Sequence, residues 1–372
     1  MNKAGRYSWK LVLIPFSWLY GLAVWIRNLL YNQCILSSTS FTIPVISVGN
    51  ITVGGTGKTP HIEYLAGLLG STYRIATLSR GYKRHTRDFR IASAESGIGE
   101  VGDEPLQIKR RFPEITVAVD RKRVHGVKLL MKQSPPLDAI LLDDAFQHRS
   151  IEPGLSILLM DYSRPNDRDF LLPAGMLREP ASNRKRAHII LITRSPERIK
   201  PIELREYAKR IRLSPGQHLY FTTMRYGELE PVYPGIARRE AEWFRQQAGG
   251  VLIVSGIAYP GPLLNYARSI HTHISELSYP DHHPYSQKDM EKITRTFRDL
   301  RKADQNILVL TTEKDATRFR ELDPEPDLRE AMHAVRIHVH FLHNDKEAFD
   351  RQILNYVNSN KRSSVLYKGK NS

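Results

Sequence analysis

The first half of the chain alternates short, wholly apolar runs with longer mixed stretches. "TIPVISVG" from Thr42, "RIATLS" from Arg74, "ITVAV" from Ile115, "DAILLD" from Asp138, "LSILLMD" from Leu155 and "HIILIT" from His188 each read as a strand. A strand with one wet face would alternate, whereas continuous apolar runs of this length suit a parallel sheet covered on both faces. The pattern therefore predicts an α/β domain. From about Ser195 to Gly250 it turns polar, with "LYFTTMRYGELEPVY" as its one extended segment and "GIARREAEWFRQQAGG" closing it. "VLIVSG" from Val251, "NILVLTT" from Asn306 and "IHVHFL" from Ile337 are spaced for a second, smaller α/β unit. The expected organisation is an N-terminal helix over 1–33, a parallel-sheet domain over 34–218, a connector over 219–250, the smaller α/β domain over 251–358 and a basic, mobile tail over 359–372.

The N-terminal segment poses a membrane question. "LVLIPFSWLYGLAVWI", Leu11 to Ile26, is apolar and uncharged, with Lys3, Arg6 and Lys10 before it and Arg27 after it. This run falls short of the roughly 20 residues that span a bilayer as a helix. No small-residue cleavage site follows, which argues against export. Three of the four tryptophans, Trp9, Trp18 and Trp25, lie here with Tyr20 and Tyr31. Aromatic rings with polar edges favour the headgroup region, and flanking cations favour anionic lipid. The expectation is a helix in the cytoplasmic leaflet, started or kinked at Pro15.

A chain of 372 residues is long for one core, so length also favours two domains. Apolar residues at 41% and charged residues at 25% exclude wholesale disorder. The formal net charge of +16 points to anionic partners such as nucleic acid, acidic lipid or phosphorylated substrates. The single cysteine, Cys34, excludes an internal disulfide and a cysteine-held zinc, and makes a reducing compartment the default.

The sharpest local signal is "VGNITVGGTGKTP", Val48 to Pro60. A phosphate loop needs a buried strand, a glycine turn with inward N–H groups, a lysine, and a hydroxyl for magnesium at a helix start. Here "IPVISVG" is the strand and Gly54, Gly55 and Gly57 free the turn. Lys58 can reach the β- and γ-phosphates, Thr59 can ligate Mg2+, and "HIEYLAGLLG" supplies the helix. Thr52 stands where the usual pattern has its first glycine, so the nucleotide loop is read as Thr52, Val53, Gly54, Gly55, Thr56, Gly57, Lys58 and Thr59. The fold expectation sharpens to a P-loop NTPase-like parallel sheet with a second α/β domain and a membrane-associated helix.

An acidic residue ending a second strand is the next requirement, and "DAILLDDAFQHR" supplies Asp143 and Asp144 after four apolar residues. Guanine specificity would need Asn/Thr-Lys-x-Asp, but "TTEKDA" from Thr311 puts Lys314 directly beside Asp315. ATP is the expected nucleotide.

Together, "SVGNITVGGTGKTP", "LSRGY", "VGDEP", "LDDAFQHR", "LLPAGMLREP", "YPDHHPY" and "TTEKDATR" resemble, in order, the motifs of the tetraacyldisaccharide 4'-kinase family of lipid A synthesis. The resemblance implies transfer of the γ-phosphoryl group of ATP to the 4'-hydroxyl of an acylated glucosamine disaccharide 1-phosphate. It implies a peripheral enzyme on the cytoplasmic face of the inner membrane. By motif match, Asp103 would be the base and His282 its partner, Glu179 would join Thr59, Asp143 and Asp144 around Mg2+, and Arg178 would steady phosphate charge. Arg80 and Arg121, with Glu104, Gln147 and His148, would contact the anionic substrate or phosphates. At Ala145 the family pattern leads one to expect glycine.

Two other classes fit part of the sequence. A membrane-recruited ATPase switch shares the loop and anchor but leaves Asp103 and His282 without a task, and requires a protein partner that nothing here indicates. A nucleic-acid-dependent ATPase is suggested by charge, yet the basic residues are scattered, with no nucleic-acid module.

Overall fold

The computed structural model describes residues 5–164, 169–236 and 241–368. Twelve strands occur in chain order: β1 (Val45–Asn50), β2 (Ile75–Ser79), β3 (Arg90–Ile91), β4 (Thr116–Val119), β5 (Ala139–Asp143), β6 (Leu155–Asp161), β7 (Ile189–Thr193), β8 (His218–Pro231), β9 (Gly250–Ser255), β10 (Ile274–Ser278), β11 (Ile307–Thr312) and β12 (Met332–Phe341). The chain divides into two compact units, one of residues 1–101, 108–224 and 339–372 and one of residues 102–107 and 225–338.

In the first unit the strands run in the order β8-β7-β6-β1-β5-β2-β4-β3. All neighbours are parallel except β3, which is antiparallel to β4. Every residue of β1, β2, β5, β6 and β7 is buried, as the unbroken apolar runs require of strands covered on both faces. The register sets Val48 of β1 opposite Asp143 of β5, so the glycine-rich turn and the paired aspartates leave adjacent strand ends. In open α/β sheets that carboxyl edge is where ligands bind.

The second unit carries β10-β9-β11-β12, all parallel. One apolar cluster, including Leu252, Val254, Val309, Phe297 and Phe319, packs the helices Gln287–Arg301 and Glu313–Phe319 on its sheet.

The structure draws the domain boundaries elsewhere than the sequence pattern did. The first part of the expected connector is strand β8, which belongs to the first unit up to Met224 and to the second from Arg225. Residues 102–107, expected within the first domain, belong to the second unit. The C-terminal helix, Lys346–Lys368, belongs to the first unit and extends through ten residues of the expected mobile tail; residues 369–372 lie outside the described chain. Its apolar positions explain the return: Phe349, Ile353 and Val357 are buried, and Tyr356 Oη bonds the Val45 backbone on β1. The edge strands β3 and β10 went unread because neither is apolar throughout.

The N-terminal helix, Gly5–Asn32, runs through Pro15, which therefore neither starts nor ends it. The helix fills most of the expected 1–33, but its apolar stretch is longer than the run Leu11–Ile26 suggested: Val12–Asn32, 21 residues, is long and apolar enough to cross a membrane by length and composition. Its polarity is inverted relative to a core helix. Ser17 and Asn28 are buried, whereas Phe16, Trp18, Leu19, Leu22, Trp25 and Ile26 are exposed. The buried stripe is pinned to the first unit. Ser17 Oγ donates to Leu171 O (2.9 Å), Tyr20 Oη donates to Arg178 O (2.8 Å), and Arg27 pairs with Glu179 (3.0 Å).

Candidate active site

The turn after β1 is built without the usual first glycine. Thr52 bridges Leu177 in antiparallel fashion, with Val53 N donating to Met176 O (2.8 Å) and Arg178 N to Ile51 O (2.8 Å). The "GMLRE" segment thus holds Thr52 as strand, and the left-handed backbone comes later, at Gly54 (φ 98) and Gly57 (φ 82). The φ of Gly57 favours glycine, and a Cβ there, 2.5 Å from Met224 Cε, would also push that flexible side chain aside. Thr56 is buried, with its hydroxyl bonded by Asn50 Nδ2 (2.8 Å) and its carbonyl by Thr193 Oγ1 (2.9 Å).

Lys58 and Thr59 open the helix Lys58–Gly70. His61, one turn on, is buried; its Nδ1 lies 2.8 Å from Gly57 O and its Nε2 3.1 Å from Thr222 Oγ1. Burial pushes this imidazole down to about 4, so at neutral pH it is an uncharged brace that donates to the loop and accepts from Thr222. A hollow of about 340 Å³ opens beside the loop, lined by Thr52 to Thr56 with Asp161, Ser163 and Asp169. A larger groove, about 430 Å³, lies along the helix Gln287–Arg301 and carries none of the candidate chemistry.

Asp143 ends β5 and is buried; Arg123, itself fully buried, donates to its carbonyl (3.1 Å). Asp144 follows in left-handed backbone (φ 47), which turns its carboxylate toward Lys58 (3.6 Å) and Arg178 (3.0 Å). Burial raises the Asp144 carboxyl, but Lys58 and Arg178 outweigh it and hold it below the usual carboxylate range. Gln147 Oε1 accepts from Arg178 (3.4 Å) and Gln147 Nε2 donates to Asn50 O (2.7 Å), so Lys58, Asp144, Gln147 and Arg178 form one constellation. His148 is pushed down to about 4 by burial and by Arg123. Ala145 has no need of glycine: the left-handed residue is Asp144, and the Ala145 methyl is buried in the apolar cluster beside β5. Arg80 and Arg121 are exposed beyond the neighbouring ends of β2 and β4.

Glu179 does not join the aspartates. Its carboxylate is wholly buried and is taken by Arg27 (3.0 Å), Asn183 Nδ2 (2.7 Å) and Arg186. It fastens the N-terminal helix, which leaves Thr59, Asp143 and Asp144 as the hard oxygen donors near the loop. Among the described residues no three His, Cys, Asp or Glu side chains gather to hold an ion unaided.

Asp103 and His282 meet in the second unit, 3.1 Å apart from Oδ2 to Nδ1. Asp103 heads the helix Asp103–Arg111 after Gly102 (φ 94). Its Oδ1 accepts from the backbone of Glu104, which is half-buried. His282 is held at φ 58, where its N–H donates to Gly256 O (3.2 Å); a non-glycine residue there costs about 1–2 kcal/mol, met by surrounding contacts. His283 turns instead to Asp289 (3.1 Å).

Three functional residues escaped the sequence reading. Arg318 contacts Asp103 Oδ2, and Lys314 Nζ lies 2.8 Å from His282 Nε2. They stand four apart in "TTEKDATR", a one-face helical spacing that was the available signal. Arg194, at φ 54, pairs with Asp161 (3.0 Å) and lies 3.3 Å from where a Cβ on Gly55 would stand.

A family model described as tetraacyldisaccharide-1-P 4'-kinase matches residues 9–358. A tetraacyldisaccharide 4'-kinase of Bacteroides fragilis is 46% identical, covering 98% of this chain and 97% of its own. One of Flavobacterium johnsoniae is 39% identical over 94% and 97%. Among solved structures, LpxK from Aquifex aeolicus in complex with ATP matches with a TM-score of 0.72 at 26% identity, covering 94% of this chain and 99% of that one.

Proposed function

We propose a mechanism from the premise that this chain belongs to the tetraacyldisaccharide-1-P 4'-kinase family. The protein is an ATP-dependent kinase that phosphorylates the 4'-hydroxyl of tetraacyldisaccharide 1-phosphate in lipid A synthesis; family membership over nearly the whole chain disfavours the ATPase switch.

The triphosphate sits on the N–H groups of Gly54 to Thr59, with Lys58 and Arg178 at its charged end; Val53, expected in this cradle, spends its N–H on Met176 O. Thr59 and Asp143, with Asp144 near by, would hold Mg2+, which would supply neutralisation of phosphate charge. The acceptor's 4'-oxygen attacks the γ-phosphorus as the bond from that phosphorus to the β–γ bridging oxygen breaks and ADP leaves. The hydroxyl proton passes to Asp103. Burial raises the Asp103 carboxyl, but His282, Arg318 and Lys314 outweigh it and hold it well below the usual carboxylate range. So weak a base takes the proton late, once the new oxygen–phosphorus bond has made the hydroxyl acidic. Arg80 and Arg121 offer cations to the substrate's phosphate.

The acylated substrate places the enzyme at a lipid surface. The apolar outer face of the helix Gly5–Asn32, with its polar stripe against protein, fits a helix lying in the cytoplasmic leaflet better than one crossing it.

The observation that carries the chemistry is the buried Asp103–His282 contact. In a transfer assay with labelled ATP and detergent-solubilised lipid, Asp103→Ala is expected to lose transfer by roughly two to four orders of magnitude while retaining ATP affinity. Loss of both together would count against Asp103 as the base.

A further inference from the structure

We infer that Lys314 and Arg318 are positioning residues for the Asp103–His282 pair: Lys314 selects the imidazole tautomer that donates to Asp103, and Arg318 holds the carboxylate in one orientation as an anion. The inference rests on the reading of Asp103 as the base.

His282 Nε2 faces Lys314 Nζ at 2.8 Å. An ammonium can only donate, so Nε2 must accept, and the neutral ring carries its proton on Nδ1. That proton faces Asp103 Oδ2 at 3.1 Å. Lys314 also pairs with Asp281 (3.5 Å), which helps hold its ammonium beside the ring. Without the lysine, the other tautomer would turn a lone pair toward the carboxylate.

Arg318 works from the other side. Its Nη2 donates to Asp103 Oδ2, converging on that oxygen with the Nδ1–H of His282; two donors cannot bond each other, so the 3.1 Å between Nη2 and Nδ1 is a contact imposed by the shared acceptor, and Nη1 pairs with Asp315 (3.1 Å). Asp315 is fully buried and is itself fixed by Gly256 N (3.0 Å) and Thr312 Oγ1 (2.8 Å) at the ends of β9 and β11. The guanidinium fork therefore joins the carboxylate to the rigid end of a parallel sheet, a geometry one lysine ammonium cannot span. The charged groups facing Asp103 are His282, Arg318 and Lys314, with Glu104 next to it on its own helix; Asp281 and Asp315 stand behind the two cations. Removing the Arg318 charge lets the Asp103 carboxyl rise toward its ordinary value. Because the ionised form is the base, the acid limb of kcat/KM then moves to higher pH.

The experiment is the pH profile of phosphoryl transfer, with kcat and KM for ATP separated, on the full-length protein and five variants. Lys314→Met is expected to lower kcat roughly tenfold or more at constant KM for ATP, and Lys314→Arg, which still donates to Nε2, to recover most of it. Arg318→Gln is expected to raise the acid limb by about one pH unit or more, with Arg318→Lys between it and the wild type. Asp103→Asn separates the two claims. If it is inactive while both Lys314→Met and Arg318→Gln keep wild-type kcat and acid limb, the positioning role is wrong and the base assignment stands. If Asp103→Asn transfers normally, the base assignment itself fails. Lys314 is partly exposed, so should Arg318→Gln not fold, the Lys314 pair decides the question: a fall in kcat rescued by arginine supports the inference, and no fall overturns it.

Discussion

Gly57 and His61 show how single residues hold the nucleotide loop. Gly57→Ala would force a β-carbon into a left-handed turn and against Met224 Cε, so ATP affinity is expected to fall at least about tenfold in calorimetric titration, with the global fold kept. His61 carries a pH signature. Its folded value, about 4, lies below the roughly 6.5 of an unfolded histidine, so the unfolded chain binds more protons between those values. Stability from this group is present above about pH 6.5 and is lost as pH falls toward 4, by up to about 3 kcal/mol. Urea denaturation across that window should show the decline, and His61→Gln should flatten it; an unchanged slope would mean the imidazole is not buried neutral.

At the scale of elements, the helix Gly5–Asn32 reverses the usual amphipathic rule. Its polar groups face protein, through Ser17, Tyr20 and Arg27, and its rings face outward, with Trp18 72% and Trp25 57% exposed. Replacing both tryptophans by serine should weaken binding to anionic vesicles at least about tenfold and raise KM for the lipid, leaving KM for ATP unchanged. Unaltered vesicle binding would place that face against something other than lipid. Glu179 belongs to the same element-level logic, since its wholly buried carboxylate, held by Arg27, Asn183 and Arg186, seats the helix.

At the scale of the whole molecule, the chain returns to its first unit after building the second. The C-terminal helix closes over the central sheet through Phe349, which is 1% exposed among Tyr64, Tyr220 and Phe341, and through Tyr356 on β1. Phe349→Ala is expected to cost about 3–5 kcal/mol in chemical denaturation, a loss seated in the ATP-binding unit although the mutation lies far from it in sequence.

The sequence by itself determined the α/β class, the core strands of both sheets, the glycine-rich turn between a buried strand and a helix, the paired aspartates closing a strand and the family. Those are local signals: a buried parallel strand must be apolar throughout, and a phosphate turn must carry glycine, lysine and a hydroxyl side by side. Tertiary structure alone decided which distant side chains meet. It put Lys314 and Arg318 beside Asp103 and His282, gave Glu179 to the helix seat, set Thr52 in an isolated bridge to Leu177 and brought the last helix back to β1. Such contacts depend on register and packing, and a carboxylate reads the same in a sequence whether its eventual neighbour is an arginine, a metal or water.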